Sequence, residues 1–249
     1  MNTDEALRRV RQIAAMLGDD VRTAVQTHAV LEAANDTIPR GVKNHEFAAT
    51  FNAIQNALAL KLALELARIF DLSKRPPPEE QDKASVPVLA ALLGRPDVQL
   101  GLEREAENNW FPGVAHIGTI GPEGPSGATE AALRSLEENS RSEDRASCRA
   151  AIAEFLRVVG RMASPERAAL ERLRQFRNQR LAHSLFDRAP DRPPRYADLF
   201  LLLGLAKDAA RHASLAIQGQ NRDFDDASKI DRENADGYYG RVLEALKRT

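Results

Sequence analysis

Apolar residues recur every three or four positions along most of this chain, the period of a helix with one buried face. Phe51, Ile54, Leu58, Leu62, Leu66 and Ile69 trace one such stripe and predict a long helix from Asn44 to Asp71. Asn52, Gln55, Asn56 and Arg68 are polar positions within it. Upstream, Thr3 to about Ala34 is helical in pattern, with Thr3 as N-cap and Asp4 and Glu5 in the first turn. A break is expected at Gly18-Asp19-Asp20, and Pro39-Arg40-Gly41 marks a turn. The run Lys74-Arg75-Pro76-Pro77-Pro78 stops the long helix, because proline lacks the amide donor and clashes with the preceding turn.

Val86–Gly94 and Asp97–Trp110 predict two further helices, separated by Arg95-Pro96. Phe111–Gly127 is rich in Gly and Pro and is expected to be a loop. With Trp110 at its entry and His116 inside, it either folds over something or is a surface loop anchored by the tryptophan. Ala128–Asn139 and Glu143–Met162 continue as helices across a charged stretch, Glu137–Arg145. Ser164-Pro165-Glu166 is a strong helix start, and that helix is expected to run to about Ser184. Pro190–Pro194 separates it from an apolar helix, Tyr196–Ile217. An acidic linker, Asp223 to Asp236, then leads to an amphipathic helix near Tyr238–Lys247. No strand is expected. The pattern predicts an all-α bundle over residues 1–218, with an inserted loop and helix region at about 75–127. Residues 219–249 form an acidic linker and a C-terminal helical tail.

Composition agrees. Hydrophobic residues make up 43% of the chain but aromatics only 5%, and this Ala- and Leu-rich set suits helix packing better than a sheet. A net charge of -1 announces no global attraction to nucleic acid, so local charge matters instead. The single Cys148 excludes an intramolecular disulfide and a cysteine metal cluster, and suits a reducing cytoplasm as a small core residue. The N-terminal MNTDEALRRVRQ carries charges where a signal peptide needs an apolar core. Ala57–Phe70 is interrupted by Lys61 and Glu65, and Leu199–Ala206 is too short to cross a bilayer. A cytoplasmic protein with no membrane partner is expected.

Candidate chemistry concentrates in Arg177-Asn178-Gln179-Arg180-Leu181-Ala182-His183. Histidine can take the proton from a ribose 2′-hydroxyl or supply one to the leaving oxygen, since it titrates near neutrality. Arginine offers a permanent forked charge to phosphate oxygens as negative charge builds. Asn178 can hold the imidazole or the phosphate by hydrogen bonding. Spacing alone is weak, because Arg22 before His28 and Arg40 before His45 match it too. Position is more telling: Leu170, Leu173, Arg177, Leu181 and Ser184 share one stripe, so Arg177 falls in line with apolar residues and requires a partner or a cleft. On an ideal helix Arg177 and His183 stand about 120° and roughly 9 Å apart. They can share a phosphate only if the helix end unwinds near Ala182, or if two copies meet across a two-fold axis.

From Arg157 to Arg195 there are ten arginines against Glu166, Glu171, Asp187 and Asp191, an excess of six positive charges. That stripe suits an RNA backbone, with Arg174 and Arg180 as its nearest contacts to the motif. It also suits an ordinary solvated helix face.

Phe176-Arg177-Asn178-Gln179-Arg180-Leu181-Ala182-His183-Ser184, late in an all-helical chain, resembles the signature of the HEPN superfamily. The helix ending in Leu66-Ala67-Arg68-Ile69-Phe70-Asp71 resembles the matching early helix of the abortive-infection AbiU-like branch. Residues 75–127 and those after about 218 show no counterpart. The resemblance implies a HEPN-like helical bundle, a homodimer, and metal-independent RNA cleavage by an arginine–histidine pair, often in toxins or phage defence. By position, Arg177 binds phosphate, Asn178 is the polar residue beside it, and His183 is the acid–base residue. An antitoxin protein is then a further partner. Many members are instead inactive scaffolds or bind nucleotides, so a non-catalytic dimeric adaptor for RNA, nucleotide or protein is the alternative. A purely structural bundle, with Arg177 and His183 satisfied internally, is the third reading.

The remaining polar residues add little. His28 reads as a half-buried helix residue and His45, beside Glu46, as part of a helix start. His212 has only Asp208 one turn away, whereas zinc takes three or four ligands, so no metal is expected. With no glycine-rich phosphate loop, no cofactor is expected either. Arg68 and Asp71 are expected to pair at a helix end, or else to line the cleft.

Overall fold

A computed structural model describes residues 1–37, 47–110, 127–160, 164–178 and 194–246. Among these all regular structure is helical and there is no strand, as the apolar spacing predicts. The long α1, Thr3–Thr37, buries Val10, Ala14, Leu17, Val21, Ala24 and Leu31 and runs unbroken through Gly18. The expected break does not form, because Gly18 serves a different purpose. A Cβ there would collide with the Arg222 guanidinium, so the glycine lets a neighbouring segment approach the helix. Its lower helix propensity costs about 1 kcal/mol relative to alanine, which one residue in a buried 35-residue helix tolerates.

The second helix, α2, spans Ala48–Ile69 and packs on α1. Leu62, Leu66 and Ile69 are buried as expected, but Ile54 is 49% exposed and Gln55 only 5%. The true buried face is therefore rotated in the first half of α2. An exposed apolar stripe results: Ala53, Ala57, Leu60 and Leu64. After α2 a 3₁₀ turn, Pro78–Glu80, leads to α3 (Val86–Leu93) and α4 (Pro96–Asn109). Trp110, at the C-cap of α4, lies over Gly219, whose φ of 65° is the left-handed conformation that favours glycine. A Cβ at Gly219 would approach the indole to 3.0 Å. The expected loop at Phe111–Gly127, with His116, and the expected turn at Pro39, with His45, fall largely outside the described residues.

The next helix, α5, covers Gly127–Gly160, so the charged stretch Glu137–Arg145 lies inside one helix. Glu103 of α4 accepts from Arg145 (3.2 Å) and Arg149 (2.9 and 2.6 Å), which brings the two helices together. Helix α6 is Ser164–Phe176, and the apolar α7, Tyr196–Gln218, packs against α1, α2, α5 and α6. Residues 223–236, expected as a linker, belong mostly to α8, Phe224–Leu246. Phe224 and Ala235 are buried, and Arg22 donates to Asp231 (Nη2–Oδ1 3.0 Å), which docks α8 on α1. Among the described residues no helix is long and apolar enough to cross a membrane. His28 is half-buried, stacked edge-on against Phe200 at 4.4 Å, and burial holds its pKa below the ordinary value.

Candidate functional site

Helix α2 stops at Ile69, with the buried Phe70 as C-cap, and Asp71 follows with its N–H bonded to the Arg68 carbonyl (3.1 Å). An anion just past a helix C-terminus faces the negative end of the macrodipole and needs cations nearby. Arg68 does not provide one, because its guanidinium donates to Asp20 of α1. Asp71 instead takes Lys83 on Oδ2 (Nζ–Oδ2 2.7 Å) and Arg177 Nη1 on Oδ1. The Arg68–Asp71 pair expected from sequence does not form, and neither residue lines the cleft described below: Arg68 turns to Asp20, and Asp71 pairs with Lys83 and Arg177.

Burial alone would raise the Asp71 pKa, but the hydrogen bonds from Lys83 and Arg177 outweigh it and hold the group below the usual carboxylate range. The segment around Asp71 is firmly held. Ser85 Oγ donates to the Asp71 carbonyl (2.6 Å), and Lys83 Nζ also reaches Ser73 Oγ (2.7 Å). Gln81, 3% exposed, donates to the carbonyls of Ser73 and Pro76 and accepts from the Ser73 N–H, each at 2.8 Å. From α1, Arg9 donates to the carbonyls of Glu79 (2.6 Å) and Gln81 (2.5 Å). Each such bond contributes on the order of 1 kcal/mol net, enough together to fix the loop. The first part of the region 75–127 therefore braces the site.

Helix α6 buries Ala169, Leu170 and Leu173, as the stripe predicts, and Arg172 clamps it to Asp198 of α7 (Nε–Oδ2 2.8 Å). At Arg177 and Asn178 the winding widens to the i→i+5 form. Such π turns often mark functional positions. Asn178 Oδ1 accepts from both Nε and Nη2 of Arg177, each at 3.3 Å. An open cleft of about 500 Å³ lies here, lined by Leu72, Ser73, Lys74, Glu171, Arg174, Gln175, Arg177 and Asn178.

Arg174, Arg177 and Asn178 thus come together, while Arg180 and His183 lie outside the described residues. Arg157 pairs with Glu154 on the same helix and Arg172 with Asp198 of α7, so part of the arginine excess is committed to ion pairs outside the cleft. Lys74 and Lys83 replenish it from the α2 side. With Arg174 and Arg177 against Glu171 and Asp71, the cleft and its support carry an excess of two positive charges. The C-terminal ends of α2 and α6 both face this cleft, so anion affinity must come from these side chains and not from helix dipoles. Lys83, Ser73 and Lys74 were not found from sequence. The signal was Asp71 itself, an acid at a helix C-terminus followed by basic residues. No cluster of three His, Cys, Asp or Glu able to hold a metal occurs among the described residues.

The described helices form an all-α, HEPN-like bundle. The sequence model of the AbiU2 family (HEPN_AbiU2) matches residues 4–238, and the chain belongs to this family. The matched span runs through the bracing loop and most of α8, well beyond the two segments recognisable by eye. No curated protein and no solved structure matches the chain.

Proposed function

We propose that this chain is a metal-independent endoribonuclease of HEPN type, acting as a toxin or phage-defence effector in the cytoplasm. The 2′-oxygen of a ribose forms a bond to the adjacent phosphorus, and the bond to the 5′-oxygen breaks. His183 takes the proton from the 2′-hydroxyl or supplies one to the leaving oxygen, and Arg177 stabilises charge on the phosphoryl oxygens. Asn178 borders the phosphate, and Arg174 and Arg180 bind the RNA backbone. The observation that carries this reading is Arg177 at the rim of a basic cleft, beside Asn178, in a chain of the AbiU2 family.

A homodimer completes the site in this reading, and an antitoxin protein is the further partner. The exposed stripe Ala53–Ala57–Leu60–Leu64 and an adjoining apolar groove of about 240 Å³, lined in part by Phe176 and Tyr196, suit a second copy. The test is RNA incubated with the purified protein and a chelator, followed by native mass measurement. Cleavage should occur and fall at least a hundredfold in His183→Ala and Arg177→Ala, in line with the loss of one charge-stabilising group. Cleavage that persists unchanged in His183→Ala rules the mechanism out. The alternative, a non-catalytic adaptor binding RNA, nucleotide or protein, is favoured by the ion pair between Arg177 and Asp71, since structural arginines pair this way. It predicts binding that weakens in Arg177→Ala with no cleavage under any condition.

A further inference from the structure

A guanidinium grips a phosphate in two bidentate ways, end-on through both Nη atoms or side-on through Nε and Nη2. Asp71 already holds an anionic oxygen on Nη1 of Arg177, so an end-on phosphate would crowd a second anion onto that nitrogen, whereas the side-on edge carries none. The side-on edge meets only the Asn178 amide oxygen, shared between Nε and Nη2 at 3.3 Å. That is long against the usual 2.9–3.0 Å, and one neutral oxygen serves two charged donors. A phosphodiester brings two anionic oxygens to the same two donors, and charge-assisted bonds are roughly twice as strong. Asn178 is exposed and free to give way.

Asp71 is not free to give way. Its N–H, carbonyl and Oδ2 are bound by Arg68 O (3.1 Å), Ser85 Oγ (2.6 Å) and Lys83 Nζ (2.7 Å). Lys83 also leaves the trio of Arg177, Asp71 and Lys83 with a net positive charge, so pairing does not cancel the attraction for phosphate.

Resting on the ribonuclease reading, we propose that Asp71 is the positioning residue of Arg177. It pins Nη1 and presents the Nε/Nη2 edge to a phosphodiester, and the Asn178 carbonyl oxygen is the displaceable occupant of that edge in the free protein. Asn178 then yields to substrate and takes no chemical part.

The experiment uses the full chain and its Asp71→Asn, Asp71→Glu and Asn178→Ala variants, with two readouts. The first is kcat and KM for RNA cleavage in chelator. The second is the Arg177 Nε–H resonance, titrated with a 2′-O-methylated oligoribonucleotide that cannot be cleaved. Asp71→Asn should lower kcat about 10- to 100-fold, the penalty for a reacting group misplaced by an ångström, with KM within about threefold. Asp71→Glu should recover part of that loss, and Asn178→Ala should bind the oligonucleotide as tightly as the parent or more so. The resonance should move in the parent and stay in Asp71→Asn. Undiminished kcat in a folded Asp71→Asn overturns the proposal and leaves the Arg177–His183 mechanism standing. Tenfold weaker binding by Asn178→Ala overturns the displaceable-occupant role. If the parent cleaves nothing, the ribonuclease reading fails and the resonance decides alone: a shift lost in Asp71→Asn upholds the proposal, and an unchanged one overturns it.

Discussion

Arg172 in α6 and Arg177 in the π turn that follows it, five residues apart, are each salt-bridged to an aspartate of another helix or its end, and they are held differently. Arg172 commits its whole side-on edge to Asp198, Nε to one oxygen (2.8 Å) and Nη2 to the other. Asp198 adds the Arg195 backbone N–H (2.8 Å) and is 10% exposed, so nothing is left to recruit a ligand. Arg177 commits only Nη1, its carboxylate is shared with Lys83, and its side-on edge opens on a cleft. An ion pair therefore does not by itself decide whether an arginine is structural or functional. Which edge of the guanidinium is filled, and what charge remains, separates a clamp from a site.

The largest effects come from exchanging the two losses. Arg177→Ala should reduce RNA cleavage on the order of a hundredfold. It should move the melting temperature by less than about 2 °C, because Asp71 keeps Lys83 and remains partly exposed. Arg172→Ala strands a nearly buried carboxylate, worth about 2 kcal/mol, or roughly 4–8 °C for a chain of this size. Below its lowered melting point it should still cleave within about threefold of the parent. Thermal melts and RNA cleavage on the same preparations check both halves. A folded Arg172→Ala as inactive as Arg177→Ala would erase the distinction.

A smaller effect separates charge from contact. Lys83→Met removes a charge that supports Arg177 without lining the cleft, so affinity for the uncleavable oligonucleotide should fall about three- to tenfold. Its salt dependence should hardly change, since Lys83 displaces no counterion from the phosphate backbone. Arg174→Ala should instead reduce the slope of log affinity against log salt by about 0.7, the share of one phosphate contact in a single strand. Equal slopes in the two variants would place Lys83 on the RNA.

The contrast also explains what the sequence could disclose. The stripe Leu170–Leu173–Arg177 is local, so it placed Arg177 beside the core, and the spacing of Leu62, Leu66 and Ile69 gave the end of α2. The sequence offers Arg68 as a partner for Asp71 one turn away, while its actual cations are Lys83, 12 positions on, and Arg177, 106 positions on. No periodicity encodes either distance. Gly18 and the acidic run at 223–236 misled for a related reason: each reads as a breaker locally, yet Arg222 packing on Gly18 and Asp231 pairing with Arg22 make both stretches helical. In each case a contact across the bundle overrode the local rule.

The smallest effect is the acid side of stability, and it distinguishes the two carboxylates by salt. The hydrogen bonds of Arg172 first, and those of Lys83 and Arg177 for Asp71 against the opposing burial, hold both pKa values below the ordinary one. A carboxylate depressed on folding stabilises the protein above its unfolded pKa, about 3.9, and that contribution fades as pH falls through the folded value. Asp198→Asn and Asp71→Asn should each be less stable than the parent at pH 7 and approach it as pH falls below the unfolded carboxylate value. Neutralising Asp71 further leaves Lys83 and Arg177 facing one another, a repulsion that lies near the surface and is screened by salt. Raising ionic strength to about 0.5 M, where the Debye length is a few ångströms, should therefore shrink the Asp71→Asn deficit more than that of Asp198→Asn. Denaturant melts at pH 7 in low and high salt read this directly. An equal salt response would mean that the Lys83 charge does not act through Asp71, and the net charge argued for Arg177 would lose its support.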